Sequence, residues 1–153
     1  MTHPFIQHLL EDHETQRNLA KKLAQAQTRE EKDKFRQSLY EALYPHIEGE
    51  DASIFPYLNW FEGAAHLGAL EAMQEHHVDR ILLDELIATD LDDEVLIAKA
   101  MVLKEVNAHH LAEEEEKHFP RLVDLADDEK LDALFEKYES AEENFKKNQG
   151  NIS

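Results

Sequence analysis

Apolar residues recur at helical spacing through nearly the whole chain, and no stretch alternates apolar and polar as a strand does. Phe5, Leu9, Leu19 and Leu23 form one stripe and Pro4 suits a first turn, so a helix is predicted over about 4–27. Thr28-Arg29-Glu30-Glu31 reads as a capping box that opens a second helix. That helix carries Phe35, Leu39, Leu43 and His46 and fades near Trp60. Pro45 lies inside it and predicts a kink or a break just before His46. Gly63 closes the region, and a third helix follows over about 65–87. Thr89-Asp90-Leu91-Asp92-Asp93 reads as a turn and cap before a fourth helix over about 93–118. A shorter fifth helix is predicted over about 127–147, with Leu131, Leu134, Phe135, Tyr138 and Phe145 on one side. Gln149 to Ser153 read as a frayed end.

Four long helices joined by short connections favour an all-α, antiparallel up-down-up-down four-helix bundle. The additional short C-terminal helix is expected to pack across it or to join a partner, a second copy of the chain in a homodimer among them. The length fits one domain over about 1–148, with a core over about 5–122 and the accessory helix at 127–147.

Composition narrows the chemistry. With no cysteine there are no disulfides, thiolate-held zinc or cysteine-held iron–sulfur clusters. Met1 to His8 show neither a basic region nor an apolar one, so no signal peptide is expected. No apolar run approaches the roughly 18–20 residues of a membrane span. A cytoplasmic location fits these features. Asp and Glu total 34 against 16 Lys and Arg, a net charge of −18 that repels nucleic acid and anionic membranes. Such acidity is ordinary for a solvated face. Ten histidines are the less ordinary count, and their placement decides the reading.

The pattern H-x3-E-x5-P occurs twice: His46, Glu50 and Pro56, then His110, Glu114 and Pro120, each 64 positions later and with a Phe before each Pro (Phe55, Phe119). Residues four apart on a helix share a face, so each copy offers an imidazole nitrogen and a carboxylate to one point. His109 precedes Glu113 at the same spacing, but the proline register selects His110 and Glu114. Aligning His13 with His76 also matches Asp12 with Glu75, Arg17 with Arg80, Leu19 with Leu82 and Leu23 with Leu86. The chain thus reads as a duplicated helix pair, each half supplying H … H-x3-E. Using His77 instead of His76 makes both offsets 64, so His77 stays open as the alternative.

One H-x3-E in a Glu-rich chain is an ordinary surface pair; two copies in matched Phe-Pro context, with two more aligned histidines, are not. Four histidines and two carboxylates facing one core are costly unless paired or metal-bound. The predicted metal ligands are therefore His13, His46, Glu50, His76, His110 and Glu114. Glu50 and Glu114 suit bridging positions between two ions about 3.5–4 Å apart. The donor set suits iron best, and also zinc, copper or manganese. His3, His8, His66 and His118 show no such register and read as surface residues. His77 and His109 read as groups flanking the site or exposed.

These residues resemble the hemerythrin family, specifically its HHE cation-binding branch. The likeness spans about Leu9 to Leu122. It is carried by Leu10-Glu11-Asp12-His13, His46-x3-Glu50 with Phe55-Pro56, Glu75-His76-His77, and His109-His110-x3-Glu114-Glu115-Glu116 with Phe119-Pro120. The resemblance implies a four-helix bundle around a non-haem di-iron centre, with His13, His46, His76 and His110 as iron ligands and Glu50 and Glu114 bridging. Oxygen-carrying members have a fifth histidine from an H-x3-H on the third helix, and an Asp where Glu114 stands. Here Ala72 lies four before His76 and Met73 four before His77. The resemblance therefore points away from reversible oxygen carriage, towards sensing of iron or oxygen, or handling of nitric oxide or peroxide.

Three functions compete. The first is a di-iron protein that binds or senses a small ligand, such as oxygen or nitric oxide, or senses iron. The second is a di-iron enzyme acting on peroxide, nitric oxide or ferrous iron; the sequence shows no clear proton donor for it, and Tyr40, Tyr44 and His77 are candidates only. The third is a metal-free structural bundle.

Overall fold

The computed structural model describes the backbone of residues 2–152 and the side chains of residues 2–149. Every regular element among the described residues is helical. They are α1 (Pro4–Ala24), α2 (Arg29–Ala52), α3 (Ile54–Asn59), α4 (Ala64–Ala88), α5 (Val95–Glu113), a π-helical turn (Glu114–His118), α6 (Phe119–Leu125) and α7 (Asp128–Ile152). None of them is long and apolar enough to cross a membrane.

The caps follow the local sequence. Pro4 opens α1, where the His3 ring accepts the Phe5 N–H at 3.0 Å. Thr28 and Glu31 close the predicted capping box on α2. Gly63 starts α4 at φ +68°, the single positive φ among the described residues, a backbone shape that glycine adopts without steric cost. Arg36 of α2 donates to the Leu86 and Thr89 carbonyls at 3.1 and 2.6 Å, satisfying the open C-terminus of α4. The Asp93 carboxylate accepts the Val95 N–H at 2.9 Å and caps α5.

Three boundaries differ from the sequence reading. First, α2 runs unbroken through Pro45, and the break comes at Ser53 instead. The helix resumes at Ile54, two residues before Pro56. Second, the stretch read as one fourth helix is interrupted by the π turn, which ends two residues before Pro120. The two events are related. A proline has no N–H and its ring clashes with the carbonyl four residues back. Pro56 and Pro120 each meet that conflict just after the carboxylate of the repeated motif. The first copy resolves it by breaking the helix, the second by widening a turn. Third, α7 continues through the region expected to fray, as far as Ile152; Ser153 lies outside the described residues.

α1 packs on α2 and α5, and α4 packs on α2 and α5, so these four helices close a ring. α7 lies along α2 and touches α1, with Leu131, Leu134 and Tyr138 buried. Farther along α7, the Phe145 ring stacks on Tyr44 at 4.7 Å. Two apolar clusters form. One gathers Phe5, Leu9, Phe55, Ala72, Phe119 and Tyr138; the other gathers Leu23, Leu43, Ile47, Leu83, Leu86 and Leu103. Each of the four ring helices also buries polar residues: His13 and Gln16 on α1, His46 and Glu50 on α2, His76 and Asp79 on α4, Asn107 and His110 on α5. All eight are buried, so the bundle carries a polar layer through its core.

Candidate metal centre

That layer brings all six predicted ligands together. His13, His46, Glu50 and Glu114 form one group of four, and Glu50, His76, His110 and Glu114 form another. Within each group the donor atoms lie within 4.8 Å of one another. Both groups contain Glu50 and Glu114, so the carboxylates are shared and the histidines divide two and two. His76 is fully buried in this layer and His77 is exposed, as is His109.

The direction of the donors is more telling than their proximity. His13 Nε2 stands 3.0 Å from Glu114 Oε1, and His110 Nε2 stands 3.2 Å from Glu114 Oε2. His46 Nε2 and His76 Nε2 lie 3.4 and 3.2 Å from Glu50 oxygens. Yet none of the four Nε2 atoms, and none of the four carboxylate oxygens, has a hydrogen-bond partner. The lone pairs and N–H directions miss one another and converge on the space between. Buried polar atoms in native proteins are normally paired, and leaving one unpaired costs about 1–3 kcal/mol. Eight orphaned atoms on six residues fit a group that would sit among them.

The opposite edges of the rings are fully engaged. His13 Nδ1 meets Glu115 at 2.7 Å, His46 Nδ1 meets Asp12 at 3.0 Å, His76 Nδ1 meets Asp51 at 2.6 Å and His110 Nδ1 meets Glu75 at 3.2 Å. A carboxylate only accepts, so each Nδ1 donates and each Nε2 is turned inward, as metal-binding histidines require. Arg17 holds Glu115 at 2.9 Å, and Arg80 holds Asp51 at 2.7 Å. The Tyr138 hydroxyl of α7 donates to Asp12 at 2.8 Å and lies 2.8 Å from His46 Nδ1.

Sequence reasoning aligned Asp12 with Glu75 and Arg17 with Arg80 but gave them no role, and it passed over Asp51 and Glu115. The same repeat holds the signal: Asp51 and Glu115 each follow the motif glutamate by one position. Tyr138 had no such signal. Its contribution depends on how α7 docks.

The charges in the layer compensate one another. Burial would strip the proton from His46, but the Glu50 charge and the Asp12 hydrogen bond reverse this and hold it at about 10. His110 is likewise held at about 9 against burial by Glu114. Glu114 stays well below the usual carboxylate range despite its burial, because His110 and His13 face it. Metal-free, the layer thus keeps protons where a cation would lie, and a bound metal must displace them.

One position breaks the twofold pattern. Gln16 and Asn107 lie one turn from His13 and His110, and the Asn107 amide donates to Gln16 at 3.2 Å. Their counterparts in the repeat are Asp79 and Leu43. Leu43 cannot hydrogen-bond, so Asp79 is buried with both oxygens unpartnered. Burial raises its carboxyl to about 6, partly offset by His110 and His76.

The outlying histidines divide. His66 is exposed, while His3 and His8 are partly so. His118, read from sequence as a surface residue, is 2% exposed at the end of the π turn. The turn rolls the chain inward between Glu114 and Phe119, a displacement that residue spacing does not reveal. Tyr44 stacks on Phe145 and Tyr40 packs at a tilt against both, and neither tyrosine belongs to the clustered donors.

The model of the Hemerythrin HHE cation binding domain matches residues 5–122. No curated protein and no solved structure matches the chain. The match covers α1 through α6 up to Leu122, including all six inward-facing donors and the four carboxylates behind them. With a buried set of histidines and glutamates able to take a cation, the chain belongs to the hemerythrin HHE cation-binding domain family.

Proposed function

We propose that the protein is a non-haem di-iron protein that binds or senses a small ligand such as oxygen or nitric oxide. His13 and His46 would hold one ion, His76 and His110 the other, and Glu50 and Glu114 would be shared by both. The observation that carries this reading is the convergence of eight unpartnered donor atoms on one buried space in two overlapping groups of four. Iron in such an imidazole–carboxylate set supplies electrons and free coordination positions to small oxygen or nitrogen ligands. The chain itself orients the imidazoles through Asp12, Asp51, Glu75 and Glu115, and it excludes water with apolar clusters on both sides of the layer. Ala72, fully buried one turn before His76, offers no further donor. That supports a ligand set with positions left free.

The same reading takes residues 1–148 as one domain in which α1, α2, α4 and α5 alternate in direction. The ring of contacts supports it. So does the pairing of Gln16, which follows His13, with Asn107, which precedes His110.

The test is metal analysis of protein purified without oxygen, joined to its absorption spectrum before and after air. Two irons per chain, with near-ultraviolet bands appearing on oxidation, are expected. Stoichiometric zinc, or a metal-free protein that takes up no iron, would overturn the assignment. Full return of the colourless reduced form under vacuum, over repeated cycles, would instead show oxygen carriage.

A further inference from the structure

His118, like Asp79, is a buried titratable side chain that the metal site leaves unused. It is 2% exposed, and neither ring nitrogen has a hydrogen-bond partner. A purely structural imidazole in such a place would donate to a carbonyl or a side chain. Its surroundings point to another role. The π turn begins at Glu114 and ends at His118, so one distorted turn carries both a shared carboxylate and this ring. Turns of this kind occur often at functional sites.

The ring stands edge-on to Phe55 at 5.6 Å, and Phe55 stands edge-on to His76 at 5.4 Å. It also lies over Gly68, where an added Cβ would come within 3.2 Å of its Cε1. Gly68 is one turn before Ala72, and Ala72 is one turn before His76. His118 therefore packs on the face of α4 that carries Ala72 one turn farther on and His76 two turns farther on, both fully buried. Its outer side faces a cleft of about 180 Å³ lined by Gly68, Glu71, Lys117 and Arg121.

We propose that His118 is a positioning residue that donates a hydrogen bond to the small oxygen or nitrogen ligand taken up beside His76 and His110. This rests on the metal reading above. Burial keeps the ring below its ordinary pKa, so at neutral pH it is neutral, with one N–H to donate and one nitrogen to accept. A neutral donor suits an uncharged diatomic ligand or a weakly basic one.

Nitric oxide added to the reduced, iron-loaded protein is the probe. The variants are His118→Leu, which removes the donor, and His118→Gln, which keeps one on a flexible side chain. Metal content is measured first in each. In the wild type, the N–O stretch of bound nitric oxide should shift when water is exchanged for deuterium oxide. In His118→Leu that isotope shift should vanish and nitric oxide should dissociate roughly three- to tenfold faster, the loss of one hydrogen bond. His118→Gln should recover part of both effects, and it carries the comparison if the leucine variant folds poorly. Iron-loaded variants with wild-type isotope shift and dissociation rate would overturn this proposal alone. A wild-type protein that holds no metal would overturn the metal reading, and this proposal with it.

Discussion

Two glycines predict opposite outcomes for the same substitution. At Gly49 an added Cβ would meet the Tyr138 ring at 2.5, 2.6 and 3.0 Å. The ring cannot retreat: Phe5 lies behind it at 5.4 Å and His8 at 5.7 Å. Moving it also pulls its hydroxyl from Asp12, which orients His46. Overpacking costs about 1–3 kcal/mol. Losing a hydrogen bond to an ionised carboxylate costs about 1.5–3 kcal/mol. The gain in helix propensity from Gly to Ala returns about 1 kcal/mol. Gly49→Ala should thus lose about 1.5–5 kcal/mol, with weaker metal binding through His46. At Gly68 the close atom, at 2.7 Å, is the tip of the Arg121 side chain, which is free to swing away. His118 need shift only slightly, so Gly68→Ala should be neutral or up to about 1 kcal/mol more stable. The assay is urea unfolding of both variants, followed by metal content. Replacing Tyr138 with Leu in the Gly49→Ala background should recover the overpacking part of the loss but not the hydrogen bond to Asp12. A Gly49→Ala protein within about 0.5 kcal/mol of wild type would refute the reasoning, because it would mean that α7 does not press Tyr138 onto α2.

Other expectations follow from the site. Glu114→Ala should lower metal content, since both donor groups lose a member, whereas Glu113→Ala should do little; equal loss by metal analysis would contradict the shared-carboxylate geometry. Chelation should lower the melting temperature, because removing the metal leaves eight buried donors unpartnered and forfeits binding that only the folded state provides. An unchanged melting curve after verified metal removal would favour a metal-free structural bundle. Asp79 should make the metal-free protein less stable as pH rises. The unfolded chain releases this proton near 3.8 and the folded chain near 6, so the cost is absent below 3.8 and complete above 6. By the linkage relation it reaches about 3 kcal/mol at pH 7.5 and roughly half that at pH 5. The stability gained by Asp79→Asn should shrink by about 1 kcal/mol or more between those pH values in urea titrations. A gain independent of pH would place the Asp79 proton elsewhere.

The sequence by itself determined the helical class, the duplication and five of the six inward-facing donors, and it narrowed the sixth to His76 or His77. It could do so because helical periodicity is a local property, and because residues four apart share a face in any α-helix. The 64-residue register even chose between Glu113 and Glu114, and the structure brings Glu114 inside with His76 rather than His77. Tertiary structure decided what lies across helices. The carboxylates Asp12, Asp51, Glu75 and Glu115 each serve a histidine on a different helix, so no spacing along one helix reveals the pairing. Tyr138 reaches Asp12 from 126 positions away, through a helix beyond the family match. Pro45 was legible as a residue but not as a consequence, since α2 absorbs it while Pro56 and Pro120 reshape the backbone. Nor did spacing show that a widened turn would bury His118. A backbone distortion follows from competition between local sterics and packing, and only the folded chain resolves that competition.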